Sequence, residues 1–177
     1  QLESRELQRA ESEAELRASE EQYRRVVETS LEGIWILDAK HRTTYANKVL
    51  AATLGSTPED MLGRSMSEFV FPEDGADHEA RLAARREGRD EVYERRLRTR
   101  AGEEIWAVIS ARAVMDSEGA FAGSFVMLTD VTEKKARRDQ LELLTRVVEN
   151  ALAGFCILDA EGRFVYVNRA FLSLWGL

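Results

Sequence analysis

Residues 26–39 are VVETSLEGIWILDA, and residues 147–160 are VVENALAGFCILDA. The second stretch repeats the first at an offset of 121 residues (147 minus 26). The register continues without a gap, because four later residues are matched at the same offset: Arg42, Tyr45, Asn47 and Gly55 by Arg163, Tyr166, Asn168 and Gly176. A period of this length is typical of tandem domains, whereas solenoid repeats are about 20–50 residues long. We therefore expect one complete domain and the N-terminal part of a second copy, truncated at residue 177.

The residues after the repeated stretch predict a mixed fold. Short β-branched and aromatic runs predict a hairpin over residues 33–46, and cap residues such as Asn47 then start several short helices. A longer polar helix over residues 73–88 precedes three further strands, at residues 91–98, 105–114 and 120–129. Because successive turns join these strands, we expect antiparallel pairing and an α+β fold.

Helices are expected on both sides of this domain. Residues 1–30 contain no Gly or Pro and are rich in strong helix formers. Their apolar seam is interrupted by charges, so a coiled coil and a solvated single helix both stay open. A second helix over residues 130–151 carries a heptad seam of Leu141, Leu144 and Val148. The expected organisation is an N-terminal helix (1–30), a complete domain (31–130), a linker helix (131–151) and a truncated second copy (152–177).

Composition excludes several classes of function. The net charge of −7 gives the chain no bias toward nucleic acid. One cysteine, Cys156, and two distant histidines cannot build a disulfide or a structural metal site, which favours a reducing, cytoplasmic compartment. No apolar run approaches the roughly 18 residues of a membrane span, so no membrane insertion is expected. The first residue, Gln1, indicates a piece of a longer polypeptide.

The ordered motifs resemble the PAS sensory domain family. They are the turn at residues 38–42, Tyr45-Ala46-Asn47, the segment 55–64 (GSTPEDMLGR), Phe71-Pro72-Glu73-Asp74, Gly102 to Trp106, and Asp130-Val131-Thr132-Glu133. The resemblance covers residues 19 to about 132. It implies a five-stranded antiparallel sheet with helices on one face, flanked by long N-terminal and C-terminal linker helices. The strand and helix order deduced from the residues agrees with it.

No grouping of residues predicts catalysis, so we expect a regulatory fragment without catalytic residues, metal ligands or a cofactor. His78 occupies the region of the haem ligand in oxygen-sensing relatives, but its charged neighbours favour a surface histidine. The light-sensing branch needs a cysteine in a Gly-x-Asn-Cys-Arg segment, whereas this chain has Gly63-Arg64-Ser65-Met66-Ser67, which excludes a flavin photoadduct. Cys156 matches Trp35 in the repeat and is expected in a core.

Three sets of residues are candidates for function. The first set could line a ligand cavity or form an ordinary packed core: Ile36, Tyr45, Leu50, Met61, Phe69, Phe125 and Met127. A ligand in such a cavity should be small and mostly uncharged. The second is Asp130 and Thr132, which in the family link the sheet to the outgoing helix. The third is a dimer contact formed by Tyr23, Val26, Val27, Leu141, Leu144 and Val148.

Three structural expectations follow from the same patterns. The first is a set of residues that should be largely buried: Trp35, Ile36, Leu37, Trp106, Val108, Phe125 and Leu128. The second is that residues 154–177, as an isolated hairpin, are held by a neighbouring chain. Eight arginines between residues 81 and 100 should form a solvated surface paired with nearby acids.

The resemblance implies a sensory and dimerisation module of a bacterial multidomain signalling protein. A homodimer through the linker helices would relay the state of a ligand or partner to a downstream domain in the same polypeptide. A histidine kinase of a two-component phosphorelay is the expected output. A diguanylate cyclase or phosphodiesterase output and a ligand-free structural dimerisation spacer are the alternatives.

Overall fold

The computed structural model describes residues 27–176 together with residues 17, 19, 21, 22 and 25. The chain divides into two compact units between Val131 and Thr132. The expected helix over residues 1–30 lies largely outside the described residues, as do Tyr23 and Val26; the described residues from 17 to Glu28 are helical.

The first unit contains the expected five-stranded antiparallel sheet. Its strands are β1 (Gly33–Asp38), β2 (Thr43–Ala46), β3 (Glu91–Arg98), β4 (Glu104–Met115) and β5 (Phe121–Asp130). Their order across the sheet is β2-β1-β5-β4-β3, and every neighbouring pair is antiparallel. The first strand is therefore central, paired with β2 on one side and β5 on the other. This confirms the predicted fold class.

Short helices connect β2 to β3. They are α1 (Lys48–Thr53), α2 (Pro58–Met61), two 3-10 turns (Met66–Phe69 and Pro72–Asp74) and α3 (Gly75–Arg86). The predicted caps are present: the Asn47 side chain accepts from the Leu50 N–H, and Ser65 with Glu68 forms a capping box. These elements cover one face of the sheet.

Strand alternation decides which side chains enter the core. Trp35, Leu37 and Leu128 are at most 2% exposed and face the helices, as predicted. Ile36, Trp106, Val108 and Phe125 are partly buried, which is less than Trp35, Leu37 and Leu128 but is not an open, solvated face. They occupy the alternate strand positions, and the register pairs Ile36 with Phe125 on the outer face. The sequence pattern had identified the strands but not the face of each side chain.

Two backbone positions are under special constraint, one in the turn between β1 and β2 and one where β5 packs closely on β1. His41 has a φ of 58°, and Gly162, its counterpart in the repeat, has a φ of 79°. A non-glycine residue pays about 1–2 kcal/mol for this left-handed conformation. The other position is Gly123 on β5, where an added Cβ would lie 2.1 Å from the Leu37 carbonyl oxygen.

The second unit repeats the beginning of the first. It consists of α4 (Thr132–Glu149), β6 (Cys156–Leu158), β7 (Phe164–Val167) and α5 (Arg169–Leu174). The bounds of β7 and α5 equal those of β2 and α1 plus 121, and the irregularity after Ile157 matches that after Ile36. Among residues 132–176 there is no counterpart of β3, β4 or β5, so this sheet has two strands.

In the described part of this unit α5 packs on the small sheet through Phe171 against Phe164, but this short helix leaves most of the apolar side chains of the sheet exposed. Phe155, Ile157 and Phe164 are 48%, 57% and 62% exposed. Cys156 is exposed as well, so the expectation of a core position was wrong. The hairpin forms from its own strands, and its contact with a neighbouring chain stays a prediction.

Candidate functional site

The seven predicted cavity residues do not lie together. Leu50, Met61 and Phe69 are at most 5% exposed and pack in the core beneath the helices. Ile36, Tyr45, Phe125 and Met127 lie on the outer face of the sheet, which the register shows by pairing Ile36 with both Tyr45 and Phe125. The expectation that all seven share one interior, as a cavity or as a packed core, is corrected, since side chains of opposite parity on a strand point to opposite faces.

The apolar end of the interior is closely packed around Trp35. The rings of Trp35 and Phe69 meet edge to face, with centroids 5.4 Å apart. The indole N–H of Trp35 donates to the Thr43 hydroxyl at 2.8 Å, so its one polar group is satisfied. Leu50, Leu54 and Met61 around it are fully buried. This end of the domain is a filled core.

The other end of the interior, between α3 and the inner face of β3, is polar. His78 is 2% exposed, so the expectation of a surface histidine was wrong. Its Nδ1 lies 3.3 Å from Nη1 of Arg95, and its Nε2 lies 3.1 Å from the Ser67 hydroxyl. A guanidinium can only donate, so Nδ1 accepts and the proton is on Nε2, which donates to Ser67. With both nitrogens engaged, this arrangement offers no free nitrogen for a haem iron.

The pKa of His78 is lowered to about 4, first by burial and then by the positive charges of Arg95 and Arg85. Burial also lowers the pKa of His41, with Arg86 and Arg85 adding to the effect. Neutral His78 is the form that the hydrogen bond from Arg95 requires. The region is therefore positively charged because of its arginines and not because of its histidines.

Arg85 and Arg95 are buried, contrary to the expectation of a solvated arginine surface. Arg85 is 0% exposed and donates to the Tyr93 hydroxyl at 2.8 Å, with the Met66 sulfur 3.8 Å from its Nη1. Arg95 is 6% exposed and contacts His78. No side-chain carboxylate among the described residues lies within ion-pair distance of either guanidinium.

Periodicity could have placed these groups. His78, Leu82 and Arg85 have helical spacing and share the face of α3 that turns inward. On β3 the inner face carries Tyr93, Arg95 and Leu97, at a spacing of two residues. Charge alone had assigned the arginines to solvent, whereas the position of Leu82 and Leu97 indicates the buried face. Arg81 lies at the rim, paired with Asp77 and Glu91 and stacked 3.8 Å above the Tyr93 ring.

The other arginines of the stretch follow the predicted pattern more closely. Arg89 pairs with Glu87, Arg100 pairs with Asp60, and Arg96 pairs with Glu73, Asp74 and Glu104. Arg64, Arg98 and Arg100 border an open cleft of about 390 Å³ next to Phe69. The Arg64 and Arg100 charges there are balanced by Glu68 and Asp60 in solvent. Solvent-exposed ion pairs of this kind contribute little to the stability of the fold.

Asn47 joins three parts of the first unit through its side-chain amide. Its oxygen accepts from the Ile34 and Leu50 N–H groups, each at 2.9 Å. Its nitrogen donates to the carbonyls of Glu32 at 2.9 Å and of Val27 at 3.3 Å. The preceding helix, β1 and α1 are thus tied to one buried residue. The sequence had identified Asn47 only as a cap.

Asn168 makes the same four bonds in the second unit. Its oxygen accepts from Phe155 and Phe171, and its nitrogen donates to Val148 and Ala153. Each partner is the counterpart, at the 121-residue offset, of a partner of Asn47. The internal repeat is therefore present in the hydrogen bonding as well as in the sequence.

The coupling candidates lie where the sheet ends. Asp130 is the last residue of β5 and pairs with Ala107 on β4. Val131 donates its N–H to the Trp106 carbonyl at 2.8 Å, which extends the pairing by one residue. Thr132 is the first residue of α4.

The dimer candidates on α4 are exposed along one stripe. Leu141 and Leu144 are 65% and 53% exposed, and Val148 is partly exposed. Val27 is partly buried at the end of the preceding helical segment. No metal-binding group of three acidic, histidine or cysteine side chains occurs among the described residues. Nor does any described helix have the length and apolarity of a membrane span.

Comparison with known proteins agrees with this geometry. A PAS domain family model matches residues 31–133, and a second PAS domain model matches residues 142–177. Because the first match alone covers more than half of the chain, the chain belongs to the PAS domain family.

Several sequenced and solved proteins are similar to it. The two-component sensor PprA of Pseudomonas aeruginosa is 33% identical over 124 residues, which are 70% of this chain and 13% of that protein. The probable diguanylate cyclase DgcE of Escherichia coli is 24% identical over 147 residues, which are 81% of this chain and 13% of that protein. The chain thus spans about an eighth of the length of these relatives.

A solved structure shows the shared fold. The sensory box histidine kinase/response regulator of Burkholderia thailandensis superimposes with a TM-score of 0.58 at 22% identity. The match covers 73% of this chain and 99% of that one. At this identity the likeness concerns the fold. The family match and the similarity to PprA make the chain a PAS sensory, regulatory module of the kind found in bacterial signal-transduction proteins.

Proposed function

We propose that this chain is a sensory and dimerisation module of a cytoplasmic multidomain signalling protein, and that the output domain is a histidine kinase. The observation that supports it is the direct succession of a complete PAS sheet, ending at Asp130, and an 18-residue helix with an exposed apolar stripe, starting at Thr132. Such a stripe is stabilised when two copies bury it against each other. The relative PprA is named a two-component sensor, which supports an output domain of the two-component kind.

Signal relay would pass through the end of β5. Asp130 and Val131 are bonded to the neighbouring strand β4, so a shift of the sheet changes the position at which α4 begins. A paired helix can respond by a change of rotation or register. In this proposal Asp130 and Thr132 are the coupling residues, and Tyr23, Val26, Val27, Leu141, Leu144 and Val148 form the dimer contact.

Two alternatives have their own support. The similarity to DgcE supports a diguanylate cyclase as the output domain. The filled core around Trp35 supports a structural spacer that binds no ligand. Native mass spectrometry of protein purified from its source separates sensor from spacer, since only a sensor would carry a ligand.

Sedimentation equilibrium of the 177-residue chain tests the dimer. We expect a dimer at micromolar concentration that is weakened at least tenfold by Leu144→Glu, because the added charge would have to be desolvated at the helix contact. Leu152→Glu is the matched control, since it makes the same chemical change at a fully exposed position outside α4. A monomeric parent chain, or equal weakening by both variants, would contradict the proposal.

A further inference from the structure

Three buried N–H groups of the arginines between α3 and β3 face no acceptor. They are Nε of Arg85 and Nε and Nη2 of Arg95, and each has no hydrogen-bond partner among the described residues. The two side chains are 0% and 6% exposed. Buried charges in proteins are paired or bound to a counter-ion, since an uncompensated one costs several kcal/mol. Neither guanidinium is paired with a carboxylate of the described residues, although Oε2 of Glu91, on the inner face of the same strand as Arg95, is also buried and has no hydrogen-bond partner among them.

The unpaired edge of Arg95, formed by Nε and Nη2, is the edge with which a guanidinium binds an oxyanion through two hydrogen bonds. Nε and Nη2 of a guanidinium point the same way and can hold two oxygens at once. The neighbouring Arg96, on the outer face of the same strand, shows this geometry: its Nε and Nη2 hold the two oxygens of Asp74 at 2.7 and 3.2 Å. In Arg95 the same edge is turned inward and holds no carboxylate of the described residues.

The remaining contacts position the two guanidinium groups without neutralising them. His78 holds Nη1 of Arg95, and the Tyr93 hydroxyl holds Nη2 of Arg85. Glu91, on the inner side of β3, has one oxygen 3.4 Å from Arg81, and that ion pair involves neither of these two arginines. The pKa of His78 is depressed by both arginines, which shows that their charges act on the same ring. Neutral groups thus hold both guanidinium groups at the same buried end of the domain.

We propose that Arg85 and Arg95 form an internal binding site for a small oxyanion, a carboxylate or a phosphate. This replaces the expected uncharged ligand. The binding is inferred from the contacts alone, and its role as a stimulus rests on the proposed sensory function. The Met66 sulfur lies 3.8 Å from Arg85, and Leu82 on α3 and Leu97 on β3, which share the inward faces of the two arginines, are at most 3% exposed, so the occupant must be small.

Thermal unfolding of the full chain with sodium succinate or sodium phosphate, each matched to sodium chloride at equal ionic strength, tests the site. We expect a saturable rise in Tm of about 5 °C or more for one of the two probes at roughly 100 times its Kd. The preferred probe tells carboxylate from phosphate. Imidazole NMR gives a second readout: the bound anion should raise the pKa of His78.

Arg95→Met and Arg85→Met should abolish both effects, whereas Arg89→Met, at an exposed position paired only with Glu87, should keep them. Without a probe, Arg95→Met should be at least as stable as the parent, because it removes an uncompensated buried charge. Failure of both probes, a response kept in Arg95→Met, or a response lost in Arg89→Met would overturn the proposal. The dimer measurement is independent, so either proposal can fail alone.

Discussion

Replacing the buried Asn47 by alanine should be among the most destabilising single substitutions in the first unit. The amide makes four hydrogen bonds, and the residue is 1% exposed. A buried hydrogen bond contributes about 1 kcal/mol net, and the N–H groups left without an acceptor add to the cost. We expect the free energy of unfolding of the first unit to fall by about 4 kcal/mol.

Urea unfolding followed by tryptophan fluorescence measures this loss, because Trp35 lies in the core of the same unit. A domain of this size has about 5–15 kcal/mol of stability in total, so Tm should fall by about 15–25 °C. Asn47→Asp should recover little near neutral pH. It keeps the acceptor for Leu50 but directs a carboxylate oxygen at the carbonyls of Val27 and Glu32.

Asn150→Ala is the matched control. That amide is exposed and makes one bond, to the Arg146 carbonyl, so its loss should cost less than about 0.5 kcal/mol. If Asn47→Ala lost less than about 1.5 kcal/mol, the four bonds would not act as the structure indicates.

Three further outcomes are expected. The folded-state pKa of His78, about 4, lies below its unfolded value of 6.5. The contribution of neutral His78 to stability is therefore complete above pH 6.5 and is lost as the pH falls toward 4, a loss of about 3 kcal/mol in all. His78→Gln should remove that part of the pH dependence of the free energy of unfolding. Gly123→Ala should destabilise by more than about 3 kcal/mol because its Cβ meets the Leu37 carbonyl, whereas Gly75→Ala, with open space around it, should be neutral or stabilising in thermal melts. His41→Gly should be more stable than His41→Ala by about 1 kcal/mol in urea titrations, and the opposite order would exclude a left-handed penalty at this turn.

The strands and turns could be predicted from the sequence because their signals are local. The third strand was placed at residues 91–98, as observed, and the cap at Asn47 is present. The faces of the strands could not be deduced in the same way. Ile36 and Leu37 are both large and apolar, and only the pairing with β2 and β5 decides which of them enters the core.

The polar end of the interior was missed for a different reason. Composition assigns arginine and histidine to solvent, and most arginines of the stretch follow that rule. Arg85, Arg95 and His78 do not, because they share a face with Leu82 or Leu97. Their environment depends on α3 packing over β3, which joins residues far apart in the chain. That neither guanidinium is paired with a carboxylate of the described residues appears only when that packing is known.

The bonds of Asn47 also bear on the order of events during synthesis. All four partners lie within 20 residues of it, whereas β1 meets β5 only after about 90 more residues have been made. The same set around Asn168 forms in the second unit with a two-stranded sheet alone. Contacts of short sequence separation form early. The hairpin of β1 and β2 and the helix α1 can therefore form early on the nascent chain. The other edge of β1 is then available for pairing when β5, the last strand, has been synthesised.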